Sequence, residues 1–198
     1  MFNHAKKILA IIGVGLLAGC AASGPTISTP VRAGAAVAAP AYQNGDQWTY
    51  QIVRSTANNE QIRISYRNGK FEHDNPTIFD GAIWAIVNRM DGELKPLNFP
   101  LTPGKSWSYR YQGAGARGRT VWRDAEVKVI GPTAQPVKTK AGQFKAVEIQ
   151  RVETWGAAQR NSTYFYSPDT KSVVKLVSDN LTLKQRYEME LIKFSPGR

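Results

Sequence analysis

Few residues of this chain carry reactive side chains, and their spacing narrows the chemistry further. Cys20 is the only cysteine among 198 residues, and the histidines are His4 and His73. An intramolecular disulfide and a cysteine-based zinc site are therefore excluded. Glu72-His73-Asp74 is the densest ionisable run. On an extended chain its two acids face one side and the imidazole the other, so the three do not converge. The run reads as a solvated loop before Pro76. A Ser-His-Asp hydrolase would depend on His73 as its base, and no G-x-S-x-G elbow occurs. Gly104-Lys105-Ser106 lacks the earlier glycine of a phosphate loop. A glycosidase needs two acids facing across a cleft. Glu188 and Glu190 share one strand face, but Lys184 and Arg186 sit beside them, as on a charge-balanced solvent face. The expectation is a chain with no catalytic residues, no metal site and no cofactor.

The arginines are more suggestive. Arg110, Arg117, Arg119 and Arg123 flank the glycine-rich stretch 113–118, and Trp107, Tyr109, Tyr111 and Trp122 lie among them. Guanidinium groups bind phosphate and carboxylate in bidentate fashion. Aromatic rings stack on sugars or lie at the level of lipid headgroups. Arg110, Arg117, Arg119, Arg123, Trp107 and Trp122 are thus a candidate anion or glycan surface on one hairpin. The plainer alternative is an aromatic row facing the core with a solvated basic back, which is what aromatic alternation usually means. Lys138, Lys140 and Lys145 form a second basic stretch.

The N-terminus has the layout of an export signal. His4, Lys6 and Lys7 precede an uncharged run over residues 8–18. A membrane-spanning helix needs roughly 20 apolar residues, so this run suits a signal core better than a span. It ends in Leu17-Ala18-Gly19-Cys20, which closely resembles the lipobox of bacterial lipoproteins. The resemblance implies cleavage between Gly19 and Cys20, a diacylglyceryl group on the Cys20 sulfur and an acylated amine. Small residues at 18 and 19 fit a peptidase groove, and only a thiol can supply the thioether. One acyl chain binds a membrane reversibly, whereas two or three hold it durably. Ala21 follows, and the absence of Asp there resembles the outer-membrane class, facing the periplasm.

Loss of the first 19 residues removes Lys6 and Lys7 from 26 basic residues, leaving 24 against 15 acids and a net charge of +9. In a cytosolic chain that balance would suggest nucleic acid. For a chain with the signal described, the anionic surfaces are lipid headgroups, envelope glycan such as lipopolysaccharide, and acidic envelope proteins. Partners of that kind are expected, with no nucleic acid.

The elements that must position these residues are strands. Residues 20–41 form a lipidated cysteine and a linker rich in Ala, Gly, Pro, Ser and Thr, too poor in large apolar side chains to fold. From Tyr42 all five tryptophans and all eight tyrosines appear, so the folded domain is read as 42–198. Trp48, Tyr50 and Ile52 alternate with polar residues, as do Trp107, Tyr109 and Tyr111. Leu181, Leu183, Tyr187, Met189 and Leu191 share one parity. Further strands are expected at 61–67, 83–88, 119–130, 144–154, 162–166 and 173–178. Alternation of this kind marks half-buried antiparallel strands. Asn68-Gly69 and Asp91-Gly92 are hairpin signals, and Ser167-Pro168-Asp169-Thr170 suits a type I turn. The fold class is all-β: a single antiparallel curved sheet, a half-barrel or a sandwich.

Gly104-Lys105-Ser106-Trp107, Ala141-Gly142-Gln143-Phe144-Lys145-Ala146, and Tyr166-Ser167-Pro168 with Val174-Lys175 resemble parts of uncharacterised envelope β-domains, distantly like the half-barrels of lipoprotein carriers. That resemblance implies a fold and no catalytic residues. Three readings follow. A non-enzymatic binding or scaffolding module needs a filled core and a basic surface. A carrier of a hydrophobic ligand needs an apolar cavity between the aromatic strands. A hydrolase needs acids or His73 at the bottom of a cleft.

Overall fold

A computed structural model describes residues 35–54, 57–74, 95–114, 119–130 and 135–197. Cys20, Gly19, most of the linker, Arg117, the strand expected at 83–88 and the Asp91-Gly92 hairpin lie outside the described residues.

Ten strands form one antiparallel sheet that does not close among the described residues. They are β1 (Gln47–Arg54), β2 (Ala57–Arg67), β3 (Lys70–His73), β4 (Ser106–Ala114), β5 (Thr120–Val129), β6 (Gln135–Thr139), β7 (Gly142–Trp155), β8 (Ala158–Ser167), β9 (Ser172–Asn180) and β10 (Gln185–Ser195). The order across the sheet is β3-β2-β1-β10-β9-β8-β7-β5-β4, with β6 paired to β7. The all-β expectation therefore holds, as a single curved sheet.

Period-two patterning sets which face is buried. Trp48, Tyr50 and Ile52 of β1 are buried, as are Tyr187, Met189 and Leu191 of β10 and Ser162, Tyr164 and Tyr166 of β8. Register shifts at Thr49/Tyr50, Ile52/Arg54 and Phe165/Tyr166 interrupt the ladders. Bulges of this kind bend strands and increase twist, which curls the sheet around its apolar face. Residues 35–43 and 95–105 fill one half of that inner face. Val37 and Leu101 exchange two backbone hydrogen bonds, at 2.9 and 2.8 Å. Leu97 and Leu101 are buried, and the Phe99 ring meets Tyr166 edge-on at 5.2 Å. Tyr42 packs edge-on against Phe71 and Trp48. Val37, upstream of Tyr42, is itself buried.

Two expectations change in detail. Leu181 and Leu183 do not share the buried face of a strand: they sit in the turn between β9 and β10, 50% and 60% exposed. Asn180 holds that turn by accepting from the Leu183 N–H at 3.0 Å. Glu72 and His73 belong to the exposed strand β3 rather than to a loop, because Asn68 and Gly69 take the positive φ values of a tight hairpin, 50° and 79°.

A buried carboxylate clasps the end of the sheet away from the β9–β10 turn. Asp46 accepts hydrogen bonds from the Gln43 N–H (2.8 Å), the Gly197 N–H (2.8 Å) and Lys171 Nζ (2.7 Å). Burial works against its charge, yet Lys171 and the two amides outweigh this and hold the carboxyl below its ordinary range. Gly197 must lack a side chain, since a Cβ there would collide with the backbone of Asn44.

Candidate functional site

Strand parity divides the basic, aromatic hairpin between two faces. On β4, Trp107, Tyr109, Tyr111 and Gly113 turn inward, and Ser108, Arg110 and Gln112 turn outward. On β5, Arg123, Ala125, Val127 and Val129 turn inward, and Trp122 and Asp124 turn outward. Trp107 and Arg123 therefore do not meet Arg110 and Trp122. Arg119 is exposed just before β5.

The outward group is small. The Arg110 guanidinium lies 5.2 Å from the centre of the Trp122 ring, and its Nε is 3.5 Å from Asp124. Trp122 is 46% exposed. Such exposed contacts contribute about 0.5–1 kcal/mol or less. Trp107 has a positioning role instead: its indole N–H donates to the Lys95 carbonyl at 2.8 Å and fastens the 95–105 segment to β4.

The inward group is larger than the sequence reading anticipated. In register, Tyr111 faces Arg123, Tyr109 faces Ala125, and Ala125 faces Glu153, which faces Arg160 on β8. One step along, Val127 faces Arg151, which faces Ser162. Ser162 and Ser178 share a buried hydrogen bond of 2.9 Å. This half of the inner face is polar, whereas the half under Leu97, Phe99 and Leu101 is apolar.

Glu153 is the centre of this polar half. It is wholly buried and accepts from Arg123 Nη1, while its other oxygen lies 3.0 Å from Arg151 Nη2. Arg151, 1% exposed, also donates to the Tyr109 hydroxyl at 3.2 Å and lies 5.4 Å from the centre of the Tyr164 ring. Trp155, at the end of β7, carries two stacked guanidiniums, Arg123 at 4.3 Å and Arg160 at 5.6 Å. Gly113 makes room for this: a Cβ there would stand 2.5 Å from Arg123 Nε and 2.8 Å from its Cδ.

The electrostatics follow from burial and proximity. Burial alone would raise the Glu153 carboxyl, but Arg151, Arg160 and Arg123 outweigh it and hold the group ionised below the ordinary carboxylate range. Burial disfavours the Arg151 charge, yet the Glu153 carboxylate beside it more than compensates. Burial pushes the Tyr111 and Tyr164 hydroxyls up, so both stay protonated as donors. An ionised carboxylate neutralised by guanidiniums is a poor general acid and a weak base. What the group offers is cationic and hydroxyl donors on a partly desolvated face, a setting for holding an anion. No three His, Cys, Asp or Glu side chains among the described residues gather as metal ligands.

The sequence did carry a signal for this site. Val121, Arg123, Ala125, Val127 and Val129 share one parity, as do Val147, Ile149, Arg151 and Glu153. Charged residues standing on the apolar parity of two long strands mark a buried ionic group.

No protein-family model matches the chain, and no curated protein matches it. Comparison with solved structures finds remote likenesses. The hypothetical lipoprotein YmcC from Escherichia coli K12 is 10% identical, with a TM-score of 0.46, over 76% of this chain and 85% of that one. A candidate exported protein with a YmcC-like fold from Bacteroides fragilis is 13% identical, with a TM-score of 0.36, over 81% of this chain and all of the other. A candidate lipoprotein from Parabacteroides distasonis is 10% identical, with a TM-score of 0.40, over the same shares.

Proposed function

We propose that this chain is a membrane-anchored envelope lipoprotein whose β-domain is a non-enzymatic binding or scaffolding module for an anionic envelope partner. Leu17-Ala18-Gly19-Cys20 supports the anchor, and Ala21 supports outer-membrane sorting toward the periplasm. The observation that carries the binding role is the pairing of Arg123 and Arg151 around Glu153 on the inner face. That arrangement presents guanidinium groups where water is largely excluded and where an anion is attracted most strongly. A basic domain also draws anionic surfaces by its overall field. The non-enzymatic reading rests on Glu153 being held ionised and on His73 standing exposed on β3.

The carrier reading is weaker. Its hydrophobic ligand needs the space between aromatic strands that Leu97, Phe99 and Leu101 occupy in one half of the inner face.

The test is capture of the acylated full-length protein from its native envelope over a series of salt concentrations. Release of a bound anionic protein or glycan as salt rises is the expected result. Capture of nothing anionic, or of lipid alone independent of salt, would contradict the binding role. The anchor has a separate test in the Cys20→Ser variant. It should fail to incorporate labelled fatty acid and should keep its signal segment, and normal maturation would refute the lipobox assignment.

A further inference from the structure

Several features of the molecule call for an occupant or a use. The exposed Leu181 and Leu183 turn is short, and Arg186 beside it is already paired with Asp179 and Glu188. The Asp46 clasp is fully bonded within the chain. The polar half of the inner face is different, because buried atoms of one ionic group there lack hydrogen-bond partners: two donors, and the Glu153 Oε2 acceptor, which has only its ion-pair contact with Arg151. Arg151 Nε and the Tyr164 hydroxyl have no hydrogen-bond partner, although both side chains are buried. Leaving a buried donor unmet is destabilising, the more so at a charged group. Met and Phe would fill the same volumes without that cost, and exchanging buried ionic groups for apolar ones is often neutral or stabilising.

The two atoms belong to one electrostatic group. Arg151 lies over the Tyr164 ring and donates to the Tyr109 hydroxyl. The Tyr42 and Tyr166 hydroxyls are also unpartnered, but Tyr42 packs among the Trp48, Tyr66 and Phe71 rings and Tyr166 against Phe99, in the apolar half. In register Arg151 stands between Val127 and Ser162, with Ala125 beside Glu153 and Ser178 bonded to Ser162. The group extends outward through Arg123 to the half-buried Trp155 and Arg160, which flank the β7–β8 turn at the rim of the sheet. Exposure rises from Arg151 through Arg123 to Trp155 and Arg160 at that rim.

We infer that the inner face holds one oxyanion, a carboxylate or phosphate group, on Arg151 Nε and the Tyr164 hydroxyl, admitted past Arg123, Arg160 and Trp155. This deepens the binding role proposed above and rests on it: the anionic partner would place a terminal carboxylate or phosphate here. A phosphate could come from a lipid headgroup or from a soluble molecule, and the chemistry at the site is the same.

The test uses the acylated full-length protein in non-ionic detergent at constant ionic strength. Inorganic phosphate and acetate are titrated calorimetrically, and phosphatidylglycerol is compared with phosphatidylcholine in the micelle. The variants are Tyr164→Phe and, as a control, Tyr166→Phe. Each removes one unpartnered buried hydroxyl, so both should fold and melt at or above the parent temperature. Saturable binding at a single site is expected, about tenfold weaker in Tyr164→Phe, as for loss of one hydrogen bond. Tyr166→Phe should bind as the parent does. Competition by inorganic phosphate or acetate would identify a soluble source, and a response to phosphatidylglycerol alone would identify a headgroup. No saturable binding of any probe, or equal binding by the two variants, would overturn the site. In that case salt-sensitive capture of a partner from the envelope would leave the broader binding role standing on another surface.

Discussion

At Glu153 two guanidiniums share one carboxylate, and that ratio sets what the residue scale allows. Replacing Glu153 with Gln leaves Arg123 and Arg151 facing each other without their counter-charge. Breaking a buried ionic group from one side costs about 3–5 kcal/mol. Chemical denaturation should therefore show a loss of that order, and the double variant Glu153→Leu with Arg151→Met should recover much of it. Arg123→Gln should be milder, because an Arg151–Glu153 pair remains. The acid limb of stability has a defined sign. Asp46 and Glu153 both have folded pKa values below their unfolded ones. Their contribution is fully present above the unfolded carboxylate range of about 4 and is lost as pH falls through the lower folded values. Melting temperature should be flat with respect to these groups above about pH 5 and should fall below about pH 4. Asp46→Asn should start less stable by about 2–3 kcal/mol, since it loses charge-assisted bonds to Lys171 and two amides. Its acid-induced loss should be shallower than that of the parent.

At the scale of elements, the β4–β5 hairpin decides how far the sequence could be read. Alternation located both strands, and it explains why the candidate surface divides: residues one apart point to opposite faces. Arg110 pairs outward with Trp122, while Arg123 turns in with Tyr109 and Tyr111. The same logic made the strands of β1, β7, β8 and β9 legible. It misplaced Leu181 and Leu183, because a turn of two alternating leucines has the same local pattern as a strand, and only the Asn180 side chain reveals the cap. It passed over β6, where Pro136 lacks an N–H and Val137 is the one large apolar residue, a composition tolerated only in a short strand at the margin of a sheet. It passed over Arg151 and Glu153, whose place on the apolar parity of β7 marks them as buried, while pairing across strands, which no local pattern records, brings them to Arg123. The element also carries a prediction. Gly113→Ala should push Arg123 off Glu153 and lower stability by about 1–3 kcal/mol, as expected of overpacking. Trp122→Ala on the outer side should shift stability by no more than about 1 kcal/mol. Equal losses from the two would mean that the hairpin's inner face is not the organised one.

For the whole molecule, the curved sheet separates two tasks. One half of the inner face is apolar, filled by the segments around Val37, Leu97, Phe99 and Leu101, and closed off by Asp46. Trp48 belongs to this half, and its indole N–H donates to the Thr170 carbonyl at 2.7 Å. The other half is ionic and reaches the rim through Trp155 and Arg160. In the proposed role the first half supplies rigidity and the second recognition, and a lipid on Cys20 would fix the address. The most direct measurement compares salt-resolved capture from the native envelope by the acylated parent, by Arg123→Gln, and by Arg110→Gln with Trp122→Ala. The expected result is an anionic partner that is released by salt, held less tightly by the inner-face variant, and held normally by the outer-face variant. Undiminished capture by Arg123→Gln, with loss in the outer-face variant, would contradict it.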